Sequence, residues 1–399
     1  MPWHRIAAAR SEYGSAPSPI PSVPLSCLPP PDAALRAAVA VPVRDEAARL
    51  PALVASLARQ RRLDGRPLAD GHAEVLLVLN NCTDGSAAVA RALAARHPRL
   101  RLRVAEVTLP PARANVGTAR GLAMDAAAAR LRAVGRPGGL VLTTDADSCV
   151  APDWIAATEA EVAAGADAVG GRICLLPRER AALPPSVRRS LVLDIGYRRA
   201  LERVHALYVP APHDPFPRHH QHYGASLAMT ADAYAAAGGV PAVASNEDVG
   251  LARALVRSGA RLRHSYRVRV WTSARTVGRA PAGMADALAA WAGQRGPAWV
   301  ESADAAERRL AALGLLAHAR PGDALPEALL VPAEPARERA PLPSVLRRLR
   351  EIAARLEALS FSARLDRAVA LHTAADARCL PTPAAGRSRP APIPFATAA

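Results

Sequence analysis

Two carboxylates one residue apart, Asp145 and Asp147, stand directly after the apolar run Leu140 to Leu142 in the stretch Gly139-Leu-Val-Leu-Thr-Thr-Asp-Ala-Asp-Ser-Cys-Val150. The run is too short for a helix and is led in by Arg136-Pro-Gly-Gly139, so it reads as a buried strand. Acids spaced this way at a strand end project in related directions, which suits a hard divalent cation that also grips a diphosphate. The competing reading is a surface loop with solvated acids, because so short a pattern recurs by chance. A second acidic pair, Glu247-Asp248, follows Ser245-Asn246 and opens a helix with Val249, Leu251, Leu255 and Val256 as its apolar stripe. Ser245 and Asp248 there form a passable capping box. His213, His219, His220 and His222 crowd one short run. Their spacing follows no zinc pattern and no cysteine lies near, which favours a polar loop that hydrogen-bonds hydroxyl groups over a metal site.

These groups can act together only if the fold brings them to one place. Ala37 to Val43 reads as an apolar strand running into Arg44-Asp-Glu46, after which Leu50, Leu53, Val54 and Leu57 recur at helical spacing. A second strand, Glu74 to Leu79, ends in Asn80-Asn-Cys-Thr-Asp-Gly-Ser86; a helix over Ala87 to Arg96 and a third strand over Leu100 to Val107 follow. This alternation predicts an α/β fold with a mostly parallel sheet and right-handed crossovers. Ligands of such sheets sit beyond the carboxyl ends of the strands. Pro42 to Glu46, Asn80 to Ser86 and Asp145 to Ser148 all fall there. The long helix that begins around Ala112-Arg-Ala-Asn115 points unpaired amides and positive dipole toward an anion, and Arg113 and Arg120 add charge of the right sign. Singly, Asp84, Ser86 and Asn115 read as helix caps; their joint arrival at one edge favours a binding site.

Further along, Trp154 to Ala164 reads as a helix, Ala168 to Leu176 and Tyr223 to Met229 as strands, Ala233 to Ala237 as a short helix, and Val268 to Trp271 as a strand. Residues 177 to 222, with Pro184-Pro185, are expected to be less regular. At 399 residues the chain can bury a sizeable core, and with 4% aromatic residues that core is expected to be Ala, Leu and Val. The net charge of +16 is carried by arginine alone and spread along the chain. It fits a G+C-rich compositional habit and solvated helix faces, and no recognition helix or aromatic-interleaved basic strand points to nucleic acid. Five cysteines without a Cys-x-x-Cys spacing favour reduced thiols and a cytoplasmic setting. No window reaches the roughly 20 apolar residues that span a bilayer, and Met1 to Leu28 lacks the apolar core of a signal peptide.

In this order, Val41-Pro-Val-Arg-Asp-Glu46, Asn81-Cys-Thr-Asp-Gly-Ser86, Ala114-Asn-Val-Gly-Thr-Ala-Arg120 and Thr144-Asp-Ala-Asp147 resemble the nucleotide-binding half of a family 2 glycosyltransferase with the GT-A fold. The resemblance covers residues 37 to 275 and implies sugar transfer from a nucleotide-diphospho-sugar donor, usually with inversion, with Mn2+ or Mg2+. It implies that Pro42, Arg44 and Glu46 frame the base, that Asp84 contacts base or ribose, and that Asn81, Asn115 and Arg120 lie on the donor side. Asp145 and Asp147 would hold ribose and metal. Glu247-Asp248 resembles the family's acidic pair, with Asp248 as the base that takes the acceptor proton and Glu247 as its alternate. His220 and His222 fall on the acceptor side. Thr83 departs from the commoner pattern, which has an acid there, so the base of the nucleotide is left open.

Thr272-Ser-Ala-Arg275-Thr-Val-Gly-Arg279 resembles a closing segment whose basic groups approach the diphosphate; the alternative is surface arginines. Processive members carry a Gln-x-x-Arg-Trp motif and membrane helices. This chain, despite Gln294-Arg-Gly-Pro-Ala-Trp299, has neither, which implies transfer of a single sugar to a discrete acceptor, whether glycan, lipid-linked or small molecule. Sugar-phosphate nucleotidyltransfer would want a Gly-rich basic loop, absent from Val41 to Arg49. The reading from a different class is a non-catalytic nucleotide-sugar-binding or membrane-surface protein that keeps the fold.

The expected organisation is a Pro-rich arm (1–34), the glycosyltransferase domain (35–280), a helical extension (281–319), a Pro-rich linker (320–343), an amphipathic helical segment (344–378) and a disordered tail (379–399). In the amphipathic segment Leu346, Leu349, Ile352, Leu356 and Leu359 share a face opposite arginines. That face either packs against the catalytic domain or makes a peripheral contact with anionic lipid at the inner face of the membrane.

Overall fold

A computed structural model describes residues 28–243, 245–278, 283–319 and 338–376. Most of the Pro-rich arm and linker, the tail, Cys27, Cys379 and Arg279 lie outside the described residues. The chain divides into two compact units: one runs to Leu183 and resumes over Gln221–Leu288, the other comprises Pro184–His220 and the residues from Ala289 onward. Residues 184–220, which the sequence reading keeps inside the 35–280 domain, thus belong by compactness to the second unit.

The first unit opens with β1 (Ala37–Val43), α1 (Leu50–Leu57), β2 (Ala73–Asn80), α2 (Ser86–Arg96), β3 (Leu102–Val107), α3 (Val116–Ala133), β4 (Leu140–Thr143) and β5 (Cys149–Val150). It continues with α4 (Trp154–Ala163), β6 (Ala168–Leu175) and α5 (Pro177–Ala182). The second unit then contributes α6 (Pro185–Tyr208), and the first resumes with β7 (Leu227–Thr230), α7 (Ala231–Ala236), α8 (Glu247–Arg257) and β8 (Leu262–Thr272). The remaining elements are α9 (Met284–Gly293), β9 (Trp299–Glu301), α10 (Ala303–His318), β10 (Arg339–Pro341), α11 (Leu342–Glu357) and α12 (Phe361–Asp376).

The eight-stranded sheet has the order β3-β2-β1-β4-β7-β6-β8-β5. Alternate residues of β1 and β2 feed two cores. Val39, Val41, Leu77 and Leu79 pack with Leu53, Leu57 and Trp154 on one face. Ala38, Ala40, Leu76 and Val78 pack with Leu122, Met124, Leu131, Leu251 and Leu255 on the other. A sheet covered on both faces explains why these strands read as continuous apolar runs rather than alternating ones.

The pairing directions decide which loops meet. β3, β2, β1 and β4 run parallel. β7 lies antiparallel between β4 and β6, with Thr143 opposite Leu227, so the residues that lead into β7 sit where β4 ends. β8 runs parallel to β6, which returns its carboxyl end, and Arg275 beyond it, to that same edge.

Several expectations are corrected. Residues 177–222 are not irregular throughout, since α5 and the 24-residue α6 fall inside them. Pro185 opens α6 from its first turn, where a missing N–H costs nothing. β8 begins at Leu262 rather than Val268, because its arginines alternate with the buried Leu262, Val268 and Val270. Residues 224–226 form a 3-10 turn before the strand that was expected to begin at Tyr223. The capping box at α8 is absent: its N-cap, Asn246, is left-handed and makes no side-chain cap bond.

The second unit buries Ala200, Val204 and Tyr208 of α6 with Leu310 and Leu315 of α10 and with Leu346, Leu349, Ile352 and Leu356 of α11. The apolar stripe of α11 is therefore interior to this unit, packed rather than facing lipid, with α6 and α10 as its partners. The segment 344–378 is two helices, and Ser360 accepts the Ala363 N–H at the start of α12. Glu307, 1% exposed, accepts hydrogen bonds from Tyr208 Oη at 3.0 Å and Arg367 Nε at 2.8 Å. No helix among the described residues is long and apolar enough to cross a membrane, and Cys82, Cys149 and Cys174 are free thiols.

Candidate active site

The loops after β1 and β2 are clasped through Asp45, which the sequence reading passed over. Asp45 adopts a left-handed φ of 50°, and its Oδ1 accepts the Thr83 N–H at 2.6 Å, the Asp84 N–H at 3.1 Å and the Thr83 hydroxyl at 3.2 Å. The Thr83 amide above all holds this carboxyl below its usual range. Asp84 returns the contact by accepting the N–H groups of Ala47 at 3.1 Å and Ser86 at 2.9 Å, and Ser86 Oγ accepts the Glu46 N–H at 2.8 Å. The Asp45, Asp84 and Cys82 ligand atoms all lie within 4.8 Å of one another, the one such three-ligand group among the described residues. Their chemistry does not suit a cation. Asp45 Oδ1 and both Asp84 oxygens already receive N–H bonds, and burial pushes the Cys82 thiol up, so it stays protonated and donates to Val43 O.

Other candidates serve the backbone around the same edge. Asn81 bonds Leu109 reciprocally, through its Nδ2 to O and its Oδ1 from N, both at 2.9 Å. Asn115 caps α3 by accepting the Thr118 N–H at 2.9 Å. Arg44 Nη1 donates to Ala114 O at 2.6 Å. Pro42 is buried within β1.

Beside this clasp, Arg275 Nη1 donates to Glu46 Oε1 at 2.8 Å while its Nη2 lies 3.1 Å from Asp147 Oδ2. Thr272 Oγ1 lies 3.3 Å from Asp147 Oδ1. Burial, reinforced by the charges of Asp145 and Glu46, pushes Asp147 up to about 6 in spite of Arg275. Burial works against the Arg275 charge, yet Asp147 and Glu46 hold its pKa above the ordinary value.

On the other side of Asp145, Arg120 is 3% exposed. Its Nη2 donates to Asp145 Oδ1 at 2.8 Å and its Nε to Glu247 Oε1 at 3.0 Å; Nη1 reaches Thr143 Oγ1 at 2.8 Å and Gly224 O at 3.0 Å. Against the cost of burial, Asp145, Glu247 and Asp248 raise its pKa. Gly117 on α3 lets the start of α8 approach, since a Cβ there would come 3.1 Å from Glu247 Cβ. Asp248 is half-buried; its Oδ2 accepts the Gly224 N–H at 2.6 Å and its Oδ1 the Val249 N–H at 2.7 Å.

Two clusters thus stand at the carboxyl edge, Arg275 with Glu46 and Asp147, and Arg120 with Asp145 and Glu247, the second reaching Asp248 through Gly224. His222 belongs to the same unit, with Nδ1 3.2 Å from His264 Nε2, so one ring donates to the other. His220 belongs to the second unit. A cavity of about 480 Å³ lined by Arg36, Arg136, Gly139 and Glu159 opens at the amino ends of β1 and β4, the edge opposite these carboxylates.

Residues 38–200 match the family described as "Glycosyl transferase family 2". No curated protein matches the chain in sequence. Among solved structures, TarS 1-349 of S. aureus in complex with UDP is 15% identical, with 70% of this chain and 65% of that chain covered and a TM-score of 0.41. This chain therefore spans slightly less than two thirds of it. The mannosyltransferase PcManGT from Pyrobaculum calidifontis in complex with GDP-Man and Mn2+ is 20% identical, with 86% and 75% covered and a TM-score of 0.42. Glucosyl-3-phosphoglycerate synthase of M. tuberculosis is 16% identical, with 70% and 79% covered and a TM-score of 0.35. The family match falls on the strands whose carboxyl ends gather these acids, so residues 38–200 are similar to glycosyl transferase family 2, and the chain has an α/β GT-A-like fold.

Proposed function

We propose that the chain transfers a single sugar from a nucleotide-diphospho-sugar to a hydroxyl of a discrete acceptor, with inversion and with Mn2+ or Mg2+ in the donor site. The observation that carries this reading, beyond the family match, is the charge at the carboxyl edge. Five carboxylates, Glu46, Asp145, Asp147, Glu247 and Asp248, gather there against two guanidiniums, Arg120 and Arg275, which pair with the first four, while Asp248 is held by the Gly224 N–H. A site with that acidic excess repels a bare diphosphate and accepts one that arrives with a divalent cation. Burial first, and after it the charges of Asp145 and Glu46, raise the pKa of Asp147, so part of that rise reflects the same excess.

Asp145 and Asp147 are the residues that would hold the cation, and substrate phosphate oxygens complete the shell in sites of this kind. When bound, the cation neutralises the diphosphate and stabilises it as leaving group. Arg275, about a third exposed, is the cationic side chain beside Asp147 that can turn to the departing phosphate. Pro42, Arg44, Glu46 and Asp84 frame the nucleotide on the β1 and β2 side, with Asn81 and Asn115 fixing the loops around it.

Of the acidic pair, Glu247 is 4% exposed and ion-paired to Arg120, whereas Asp248 is half-buried. Asp248 is therefore the one that meets the acceptor. Held by the Gly224 and Val249 amides, it takes the hydroxyl proton as the oxygen attacks the anomeric carbon. The nucleoside diphosphate leaves from the opposite face, which inverts the centre. His222, in the same unit as Asp248, is assigned to the acceptor side.

The test is nucleoside diphosphate release from a panel of UDP-, GDP-, dTDP- and ADP-sugars with Mn2+, Mg2+ or EDTA, on wild type and Asp248→Asn. Metal-dependent release with one base, reduced about a hundredfold in the variant with nucleotide affinity retained, supports the transferase. Absence of release under every condition contradicts it and leaves a protein that only binds.

A further inference from the structure

Arg120 joins both halves of the candidate site from inside the protein. One guanidinium reaches Asp145, on the donor side, and Glu247, on the acceptor side, and also holds Thr143 Oγ1 and the Gly224 carbonyl. Gly224 in turn gives its N–H to Asp248 at 2.6 Å. We propose that Arg120 is a positioning residue for sugar transfer, one that fixes Asp145 relative to Glu247 and Asp248 through these bonds without itself touching the donor. This rests on the reading of Asp145 as a donor-site acid and Asp248 as the base.

The geometry separates this role from the donor-side contact that the charge of Arg120 first suggests. A guanidinium has five N–H groups. Four contacts to protein groups engage Arg120 on all three of its nitrogens, and at 3% exposure it presents almost no surface to a diphosphate. Gly224 completes the device. A Cβ there would lie 2.3 Å from Arg120 Cζ and 2.5 and 2.7 Å from its terminal nitrogens, so a side chain at 224 would push the guanidinium off its partners. A base displaced by about 1 Å from the anomeric carbon loses on the order of a hundredfold in rate, which is the lever such a residue holds.

Arg120→Met removes the link, Arg120→Lys keeps the charge without the fork, and Gly224→Ala keeps the arginine but displaces it, which preserves the test if Arg120→Met fails to fold. Each full-length variant is assayed for melting temperature, for UDP and GDP affinity with Mn2+ by calorimetry, and for nucleoside diphosphate release from the sugar-nucleotide panel. The expected pattern is kcat down about a hundredfold in Arg120→Met and Gly224→Ala, a loss about tenfold or more beyond any weakening of nucleotide Kd through Asp145, and partial recovery in Arg120→Lys. Loss of nucleotide affinity in step with kcat overturns the proposal in favour of direct donor binding.

A double-mutant cycle of Asp145→Asn and Glu247→Gln on unfolding, with and without Arg120, tests the link apart from turnover. Coupling of about fivefold or more in the unfolding constant that vanishes in Arg120→Met is expected, and absence of coupling in the wild-type background overturns the proposal. Should wild type release no nucleotide at all, the transferase reading fails while the cycle still decides the link.

Discussion

Asp147 Oδ2 and Arg275 Nη2 lie 3.1 Å apart, so a side chain from beyond the carboxyl end of β8 answers an acid from the loop after β4. The same guanidinium bonds Glu46, beyond β1, at 2.8 Å. Three strand ends are thereby tied at the place where the proposed cation would bind, and burial still pushes Asp147 up to about 6. On the proposed reading, Arg275 and a divalent cation would compete for this one carboxylate.

The first consequence concerns pH. The folded-state pKa of Asp147, about 6, lies above its ordinary 3.8, so the folded chain holds this proton more tightly than the unfolded chain. Folding takes up a proton between these values, and Asp147 makes stability fall as pH rises through that window. Asp147→Asn is expected to stabilise the unliganded protein at pH 7.5 by on the order of 2 kcal/mol and to have little effect below pH about 4. Urea denaturation at the two pH values checks it.

Removing the competitor separates the two roles of Arg275. Arg275→Met is expected to bind Mn2+ alone about fivefold more tightly, on the order of 1 kcal/mol, while nucleoside diphosphate binding with Mn2+ weakens. Calorimetric titration of the metal, with and without UDP or GDP, measures both. Weaker metal binding in the variant would show that Arg275 supports the cation rather than competing with it.

Asn115 can be assigned by chemistry that separates capping from recognition. Asn115→Ala loses the bond to the Thr118 N–H and is expected to cost about 1 kcal/mol, and Asn115→Ser to restore most of it. If Asn115→Ser also keeps wild-type nucleotide affinity, the residue acts through the start of α3. If affinity is lost while stability returns, the amide contacts the donor.

In the second unit, Glu307→Ala strands the Tyr208 hydroxyl and Arg367 around a buried gap. A loss of about 2 to 3 kcal/mol is expected, since Arg367 is partly exposed and can rehydrate. Thermal unfolding of the variant, with nucleotide affinity as the control, tests whether the effect is one of stability alone.

Much of the sheet was legible because its central strands are buried on both faces and so read as unbroken apolar runs, as in Ala37 to Val43. The placement of Pro42 to Glu46, Asn80 to Ser86 and Asp145 to Ser148 at the ends of β1, β2 and β4 followed from the rule for parallel sheets. What stayed hidden is long-range or conformational. Arg120 and Glu247 are 127 positions apart, and nothing local announces that one guanidinium will serve Asp145, Glu247 and Gly224 together. Asp45 lay inside the Val41 to Glu46 motif without a role of its own, since that role depends on a left-handed backbone that lets one oxygen meet Thr83 and Asp84. Pro184-Pro185 looked like a break, although a proline in the first turn starts a helix as readily as it ends one.

The most direct test of the central claim is a thermal-shift panel of nucleoside diphosphates and nucleotide-sugars, with and without Mn2+, on wild type and Asp147→Ala. Ligands that bind the folded chain raise its melting temperature by mass action. A donor site built on Asp145 and Asp147 predicts a shift with one base that requires Mn2+ and disappears in Asp147→Ala. No shift with any nucleotide, or an equal shift in the variant, would contradict it.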